Sequence, residues 1–370
     1  MFHCTNVAVA LAAAALLTSS PLALAAGFPI DEARGGIPTL APVLEKVTPG
    51  VVNISTESRV RGPNGLTRDP TFGQFFRFDP TERLRQGTGS GVIVDAAKGY
   101  IVTNHHVING ADGIKVTLWD GRQIDAKVIG SDADTDIAVV QVQADKLTAV
   151  PLGDPEKLRV GDFVVAIGNP FGLGQSVTSG IVSALGRGGL NLEGYEDFIQ
   201  TDASINPGNS GGALVDATGR LIGINTAIIG PTGGNVGIGF AVPVNMAKAV
   251  MDQLISYGEV QHGRLGVSIA DLNPALGKEL GTDRTAGVAV VDVERGSAGD
   301  RAGLRKGDVI TGVNGTKTPF AREVRNRIGL LRPGEKIELS ILRDGRAQTL
   351  SATLEGDPLA RRTENRVRAL

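Results

Sequence analysis

From Val51 to Val242 the chain alternates short apolar runs with turn residues, and this rhythm restricts the fold more than any other feature. The runs cover 51–54, 91–94, 100–102, 114–118, 137–142, 163–167, 177–185, 213–215, 221–229 and 236–242. They are too short for core helices and rich in Val and Ile, whose branched side chains fit a pleated surface, so they read as strands. Many strands at close spacing with little helix between them predict an antiparallel sandwich or barrel. Glycine agrees with this: it makes up 51 of 370 residues, about twice the usual share of roughly 7%, which suits tight turns between strands.

Three stretches depart from the strand rhythm. Residues 38–48 place Leu40, Val43, Leu44 and Val47 at three-to-four spacing, which predicts a short amphipathic helix. Residues 57–86 dissolve into Gly, Pro, Arg and Asp, a long loop that nevertheless holds Phe72, Phe75, Phe76 and Phe78. Such a cluster either covers a core edge or serves as an adhesive loop against a neighbouring subunit or substrate. Pro243 to Tyr257 predicts the one long helix, with Met246, Ala247, Val250, Met251, Leu254 and Ile255 on one stripe and Gly258 at its stop. That helix closes a first domain of residues 38–258. A small α+β unit follows over 260–354, with strands near 265–269, 288–293 and 337–342, and a hairpin turn at Asp344-Gly345. Its helix is expected to open at Thr318-Pro319 and to end at Pro333-Gly334. Residues 356–370, with Arg361, Arg362, Arg366 and Arg368, read as a solvated, disordered tail.

The first thirty residues contain no Asp, Glu, Lys or Arg. An apolar core over 7–17 leads to Thr18-Ser19-Ser20-Pro21 and Ala23-Leu24-Ala25, the pattern of a signal peptide (residues 1–25) cut after Ala25. An uncleaved anchor is the rival, since about 20 apolar residues span a bilayer, but Pro21 and the polar break argue against it. The single cysteine, Cys4, lies in this segment, so the exported chain has no thiol and no disulfide framework. A net charge of −2 supplies no field that favours nucleic acid. The expectation is a periplasmic protein with no nucleic-acid partner.

Asn206-Pro207-Gly208-Asn209-Ser210-Gly211-Gly212 sets one hydroxyl among three glycines and runs into an apolar strand. A serine that attacks a carbonyl needs backbone N–H groups beside it to hold the oxyanion, and glycines let the main chain come that close. Its base must be neutral near pH 7, and beyond the leader only His105, His106 and His262 are available. The first two end an apolar strand, where neighbours point to opposite faces, so only one can face a given cleft. Adjacent histidines rarely chelate one ion and no cysteine or third histidine lies nearby, so no metal site is expected there. Asp132, Asp134 and Asp136 compete as the acid that orients the imidazole. Only Asp136 abuts the apolar run 137–140, and the other two read as turn residues. On spacing alone Asp136 reads equally well as a turn cap. The serine motif also satisfies G-x-S-x-G, but the esterase fold built on that elbow needs a helix after the serine and a late histidine. Here a strand follows and the order is His, Asp, Ser, as in double-barrel proteases. Gly87-Thr88-Gly89-Ser90-Gly91 is not a dinucleotide fingerprint, because it leads into a strand rather than a helix.

Taken together, Thr103-Asn104-His105-His106-Val107, Asp136-Ile137-Ala138, Gly168-Asn169-Pro170-Phe171-Gly172 and Gly208-Asn209-Ser210-Gly211-Gly212 resemble the HtrA (Deg) family of serine endoproteases, over about residues 38–354. The resemblance implies a mainly β fold, a chymotrypsin-like double antiparallel β-barrel followed by a single PDZ domain. It implies His106 as general base, Asp136 as its orienting acid and Ser210 as nucleophile. The oxyanion hole would come from the N–H groups of Gly208 and Ser210, with Asn209 between them. The chain departs from the family at His105, where many relatives carry Asn, and at Ala298, where Pro is usual. Gly263-Arg264-Leu265-Gly266-Val267 looks like the loop that captures a peptide's C-terminal carboxylate, and residues 297–310 like the family's PDZ stretch. Loops 169–176, 186–197 and 227–235 are implied to switch between ordered and disordered forms, with Arg187 as a sensor. Ile205 and Ile228 would line a small aliphatic pocket. The implied activity is ATP-independent cleavage of misfolded or unfolded envelope proteins through an acyl-enzyme, without a cofactor, in a homotrimer or a multiple of it. Two other functions fit the same chain, a membrane-anchored protease making one signalled cut and a peptide-binding chaperone with little proteolysis.

Overall fold

The structure, a computed structural model, describes residues 30–31, 37–59, 84–170, 174–190, 194–228, 236–280 and 287–356. The expected signal peptide, the phenylalanine cluster at 72–78 and the tail beyond 356 lie outside the described residues. Among the described residues no helix is long and apolar enough to cross a membrane.

Two short paired strands, β1 (Ile30–Asp31) and β2 (Ile37–Pro38), precede helix α1 (Ala41–Val47). The stripe expected over 38–48 lies on α1 and its flank: Val47 is buried, and Leu40, Val43 and Leu44 pack on the same core. The first sheet comprises β3 (Val51–Arg59), β4 (Leu84–Asp95), β5 (Tyr100–Thr103), β6 (Gly113–Thr117), β7 (Gln123–Asp125), β8 (Lys127–Asp132) and β9 (Ile137–Gln141). One helical turn, α2 (His105–Ile108), separates β5 from β6. The strands pair antiparallel in the order β7-β6-β3-β4-β5-β9-β8. The second sheet comprises β10 (Phe163–Gly168), β11 (Ser176–Arg187), β12 (Phe198–Thr201), β13 (Ala213–Asp216), β14 (Leu221–Ile228) and β15 (Gly239–Pro243), and it closes into an antiparallel barrel.

Alternation explains why several runs are apolar throughout. In β10, Val165 and Ile167 face a core shared by the two sheets, while Val164 and Ala166 face the interior of the closed barrel. In β9, Ile137 and Val139 face the shared core, while Ala138 and Val140 face the interior of the first sheet. A strand buried on both faces has no polar side. Helix α3 (Val244–Tyr257) seals the shared core with Met246, Ala247, Val250 and Leu254. It stops at Gly258, whose φ of +80° lets its N–H reach back to the Leu254 carbonyl.

The last unit has its own core and comprises β16 (Val267–Asp271), α4 (Pro274–Glu279), β17 (Val288–Val293), α5 (Ala298–Arg301), β18 (Val309–Val313), β19 (Thr316–Lys317), α6 (Ala321–Gly329), β20 (Lys336–Arg343) and β21 (Arg346–Thr353). The sheet order is β16-β17-β18-β20-β21, with β19 on β18. Asp344 (φ 50°) and Gly345 (φ 74°) make the expected hairpin turn, pairing Arg343 with Arg346. Helix α6 is shorter than expected at both ends. The Thr318 N–H donates to Thr311 and stays with the sheet, so the helix opens at Ala321, whose N–H donates to Asp271 Oδ1. Leu330 caps the other end, before Pro333.

Candidate active site

The chain leaves β5 at Thr103 and turns at once into α2, so His105 and His106 are neighbours on a helical turn rather than on the strand end expected from sequence. They still diverge, because successive helical residues are rotated by about 100°. His105 Nδ1 lies 3.0 Å from Ser131 Oγ. His106 Nδ1 lies 2.9 and 2.8 Å from the two carboxylate oxygens of Asp136.

Asp136 enters β9 with a φ of 54°, a left-handed conformation that costs a non-glycine residue energy. Three hydrogen bonds from α2 and its cap over-determine it. Its carbonyl accepts the His105 N–H at 3.1 Å and Asn104 Nδ2 at 3.0 Å, and its Oδ1 accepts the His106 backbone N–H at 3.0 Å. Burial alone would push the Asp136 carboxyl up. The His106 ring, the His106 hydrogen bonds and the Thr226 hydroxyl outweigh burial and hold it below the usual carboxylate range. An anion facing Nδ1 keeps the hydrogen on that nitrogen and leaves Nε2 as the basic one. At His105, by contrast, burial dominates and lowers the pKa despite Asp136 nearby.

The serine loop approaches from the closed barrel. Gly208 (φ +95°) and Gly211 (φ +82°) take backbone conformations that disfavour a side chain, and a Cβ would strike Pro170 at the first and the Ser90 carbonyl at the second. The N–H groups of Asn209, Gly211 and Gly212 donate to the carbonyls of Asn206, Asn225 and Asn209. Among the described residues, those of Gly208 and Ser210 donate to none, so two donors flank the hydroxyl unused.

Two residues that sequence reasoning passed over join the halves of the site. Thr226, on β14, donates its hydroxyl to Asp136 Oδ2 at 2.6 Å and accepts the Ser210 hydroxyl at its carbonyl at 3.2 Å. A polar pair, Asn225-Thr226, buried inside an apolar run was the available signal. Ser90, on β4, donates to the Gly208 carbonyl at 2.6 Å and accepts the Asn169 N–H at 2.8 Å, and its own N–H reaches the Ser210 carbonyl at 2.8 Å. It lies in the glycine run rejected as a nucleotide site.

The remaining expected residues scatter. Ile205 is buried in the closed barrel's interior beside Gly239, and Ile228 ends β14 with its side chain outside the described residues. Arg187 ends β11 and donates to Gln200 Oε1 at 2.8 Å, within its own sheet. Residues 171–173, 191–193 and 229–235 of the three expected switch loops lie outside the described residues. The segment before β12 touches the last unit instead through Glu196, whose carbonyl accepts Asn326 Nδ2 at 2.9 Å, and through Tyr195, stacked on His262 at 4.6 Å. Asp132 and Asp134 do serve the turn, where Asp132 accepts the Thr135 hydroxyl at 2.6 Å.

Arg264, Leu265, Gly266 and Val267 lead into β16, which among the described residues pairs only with β17 and leaves one edge open. Among the described residues, the Leu265 and Gly266 N–H groups have no acceptor, and Arg264 is held by Glu294 at 2.6 Å. This loop lines a cavity of about 850 Å³ together with Ile269 on β16 and Val324 and Ile328 on α6.

Residues 89–224 match the trypsin-like peptidase domain, and residues 263–354 match the PDZ domain. The chain is 49% identical over 354 residues to the periplasmic pH-dependent serine endoprotease DegQ of Escherichia coli (strain K12), covering 94% of this chain and 77% of that protein. It is 47% identical over 374 residues to the periplasmic serine endoprotease DegP of Salmonella typhimurium, covering 94% and 78%. Among solved structures it is similar to the HtrA-type protease AlgW with decapeptide, at a TM-score of 0.66 and 45% identity, over 86% of this chain and 99% of that one. With two sheets meeting at a Ser, His and Asp constellation and a PDZ domain behind them, the chain belongs to the HtrA (Deg) family of serine endoproteases.

Proposed function

We propose that this serine endopeptidase cleaves unfolded or misfolded proteins in the periplasm with Ser210 as its nucleophile. The Asp136–His106 pair, tied to Ser210 through Thr226, carries this reading. Attack requires the Ser210 hydroxyl hydrogen to pass to His106 Nε2 instead of resting on the Thr226 carbonyl. Oγ then bonds to the scissile carbonyl carbon, and the oxyanion enters the space beside the unused N–H groups of Gly208 and Ser210, with Asn209 fixing the peptide between them. His106 returns the proton to the leaving amine. Water, deprotonated by the same imidazole, then releases the acyl group from Ser210. Asp136 stays ionised throughout and stabilises the imidazolium. These steps need neither ATP nor a cofactor.

The loop Arg264 to Val267 captures a peptide's terminal carboxylate on the Leu265 and Gly266 N–H groups, and the peptide adds as a strand along the open edge of β16. The cavity between β16 and α6 supports this reading, since it can take the side chains. Segment 186–197, Arg187 included, relays occupancy toward the site, supported by the Asn326–Glu196 and His262–Tyr195 contacts. Residues 38–258 and 260–354 act as the two functional units. The chain is exported by a leader cut after Ala25 and works as a homotrimer or a multiple of it. Ser210→Ala abolishes casein cleavage and leaves the unfolding temperature unchanged; turnover retained in that variant refutes the assignment.

A further inference from the structure

Three donor atoms from two domains converge beside the turn that carries Asp136. His262, in the linker before β16, places Nε2 3.1 Å from Asp132 Oδ1 and 3.8 Å from Asp134 Oδ2. All three donors lie within 4.8 Å of one another. None of these residues takes part in the proton transfers assigned to Ser210, His106 and Asp136.

The orientation of His262 is fixed from two sides. Its Nδ1 lies 2.8 Å from the Gly329 carbonyl, so that nitrogen carries a hydrogen and Nε2 of the neutral ring turns a lone pair toward the carboxylates. Tyr195 stacks on the ring at 4.6 Å with 26° between the planes, which holds the ring in this orientation. A lone pair facing a carboxylate across 3.1 Å is repulsive unless a cation lies between them. A proton on Nε2 satisfies Asp132 alone, because Asp134 Oδ2 at 3.8 Å is beyond hydrogen-bond reach. A metal ion engages all three.

The spacing fits an ion of zinc's size. Bonds of about 2.0–2.2 Å in a tetrahedron set ligand atoms roughly 3.3–3.6 Å apart, and the observed 3.1 and 3.8 Å lie on either side of that. Outer partners of the kind that orient ligands are already in place, with the Gly329 carbonyl on His262 Nδ1 and the Thr135 hydroxyl on Asp132 Oδ2. The remaining side opens into the cavity of about 850 Å³ that also holds the Arg264 to Val267 loop, leaving room for a water or a carboxylate as fourth ligand. Imidazole with carboxylates favours a first-row transition ion over magnesium or calcium.

We propose that Asp132, Asp134 and His262 form a divalent-cation site, suited to zinc, that clamps the PDZ domain to the protease domain. The clamp fixes the linker against residues 132–134, two positions before Asp136, and so stiffens the turn that orients His106. It is independent of the assignment of Ser210, so its failure leaves that assignment intact.

The test uses the full chain carrying Ser210→Ala, which prevents self-cleavage, stripped with a chelator and titrated with zinc chloride against a competing chromophoric chelator. One zinc per chain is expected, with affinity reduced about tenfold or more by His262→Gln and also by Asp134→Asn. Zinc also raises the unfolding temperature of the parent chain but not of either variant. The Asp134 side chain is 61% exposed and among the described residues makes only the long contact to His262, so Asp134→Asn leaves the fold intact should His262→Gln loosen the linker. Absence of stoichiometric binding, or affinity unchanged in either variant, overturns the proposal. So does zinc lost only on His106→Ala, which assigns the ion to the triad.

Discussion

Asp136 concentrates the local physics of the site in one residue. Its left-handed backbone turns the carbonyl toward His105 and Asn104 while its carboxylate meets both nitrogens of His106 that can donate to it. Ser210 stood out in sequence by its glycine setting, while the choice of His106 over His105 and of Asp136 as the orienting acid came from the family resemblance. Thr226 was not legible there, because its hydroxyl reaches Asp136 from a strand 90 positions away, a contact that only the packing of the two sheets creates. A hydrogen bond to a charged group contributes about 1.5–3 kcal/mol. Thr226→Val, which keeps the carbonyl that accepts from Ser210, therefore lowers kcat/KM for a chromogenic peptide by about 10- to 100-fold. An unchanged kcat/KM removes Thr226 from the machinery.

At the level of elements, burial on both faces made β9 and β10 legible, whereas the short β12, also largely buried, was missed. β9 and β10 feed alternate side chains into different cores, and their runs are apolar without interruption. β7 and β8 lie at the two ends of the first sheet with mostly exposed or half-buried side chains, so burial imposes no pattern there for sequence to report. α6 was placed too long because a proline on each flank marks where a helix is allowed, whereas its opening is set by Thr311 and Asp271, reached only through the sheet, and its other end by the Leu330 cap. Chemical unfolding tests where burial supplies stability. Ile167→Ala, at a fully buried position, costs about 2–5 kcal/mol. Val128→Ala, at an exposed one, stays within about 0.5 kcal/mol. Equal losses at both would mean that the cores are not where the stability resides.

Across the whole molecule, the two domains meet through polar contacts that sequence could not supply, since each pairs residues far apart in the chain. Gln253 of α3 donates to the Leu330 carbonyl at 3.0 Å, Asn326 of α6 donates to the Glu196 carbonyl at 2.9 Å, and His262 Nε2 lies 3.1 Å from Asp132 Oδ1 in the turn before Asp136. Burial pushes the Asp197 carboxyl up to about 6, with Glu323 acting in the same direction and Arg322 and Arg327 opposing it. Since its folded value lies above its unfolded one, ionised Asp197 destabilises the fold fully above pH 6, and this cost falls away as pH drops toward 4. Asp197→Asn removes the charge and so raises stability by about 1–3 kcal/mol at pH 7.5, with little effect near pH 4. Unfolding curves at the two pH values check it, and a gain confined to pH 4 would contradict the sign.

The central claim is that one serine, activated across the two sheets, carries the reaction. A fluorophosphonate reacts with a serine only when a base and oxyanion donors serve it, so mass spectrometry of the labelled chain reads the claim directly. The account predicts one adduct per chain, on Ser210, abolished by His106→Ala and slowed by Asp136→Asn. An adduct on another serine, or labelling of Ser210 at an unchanged rate in His106→Ala, would contradict it.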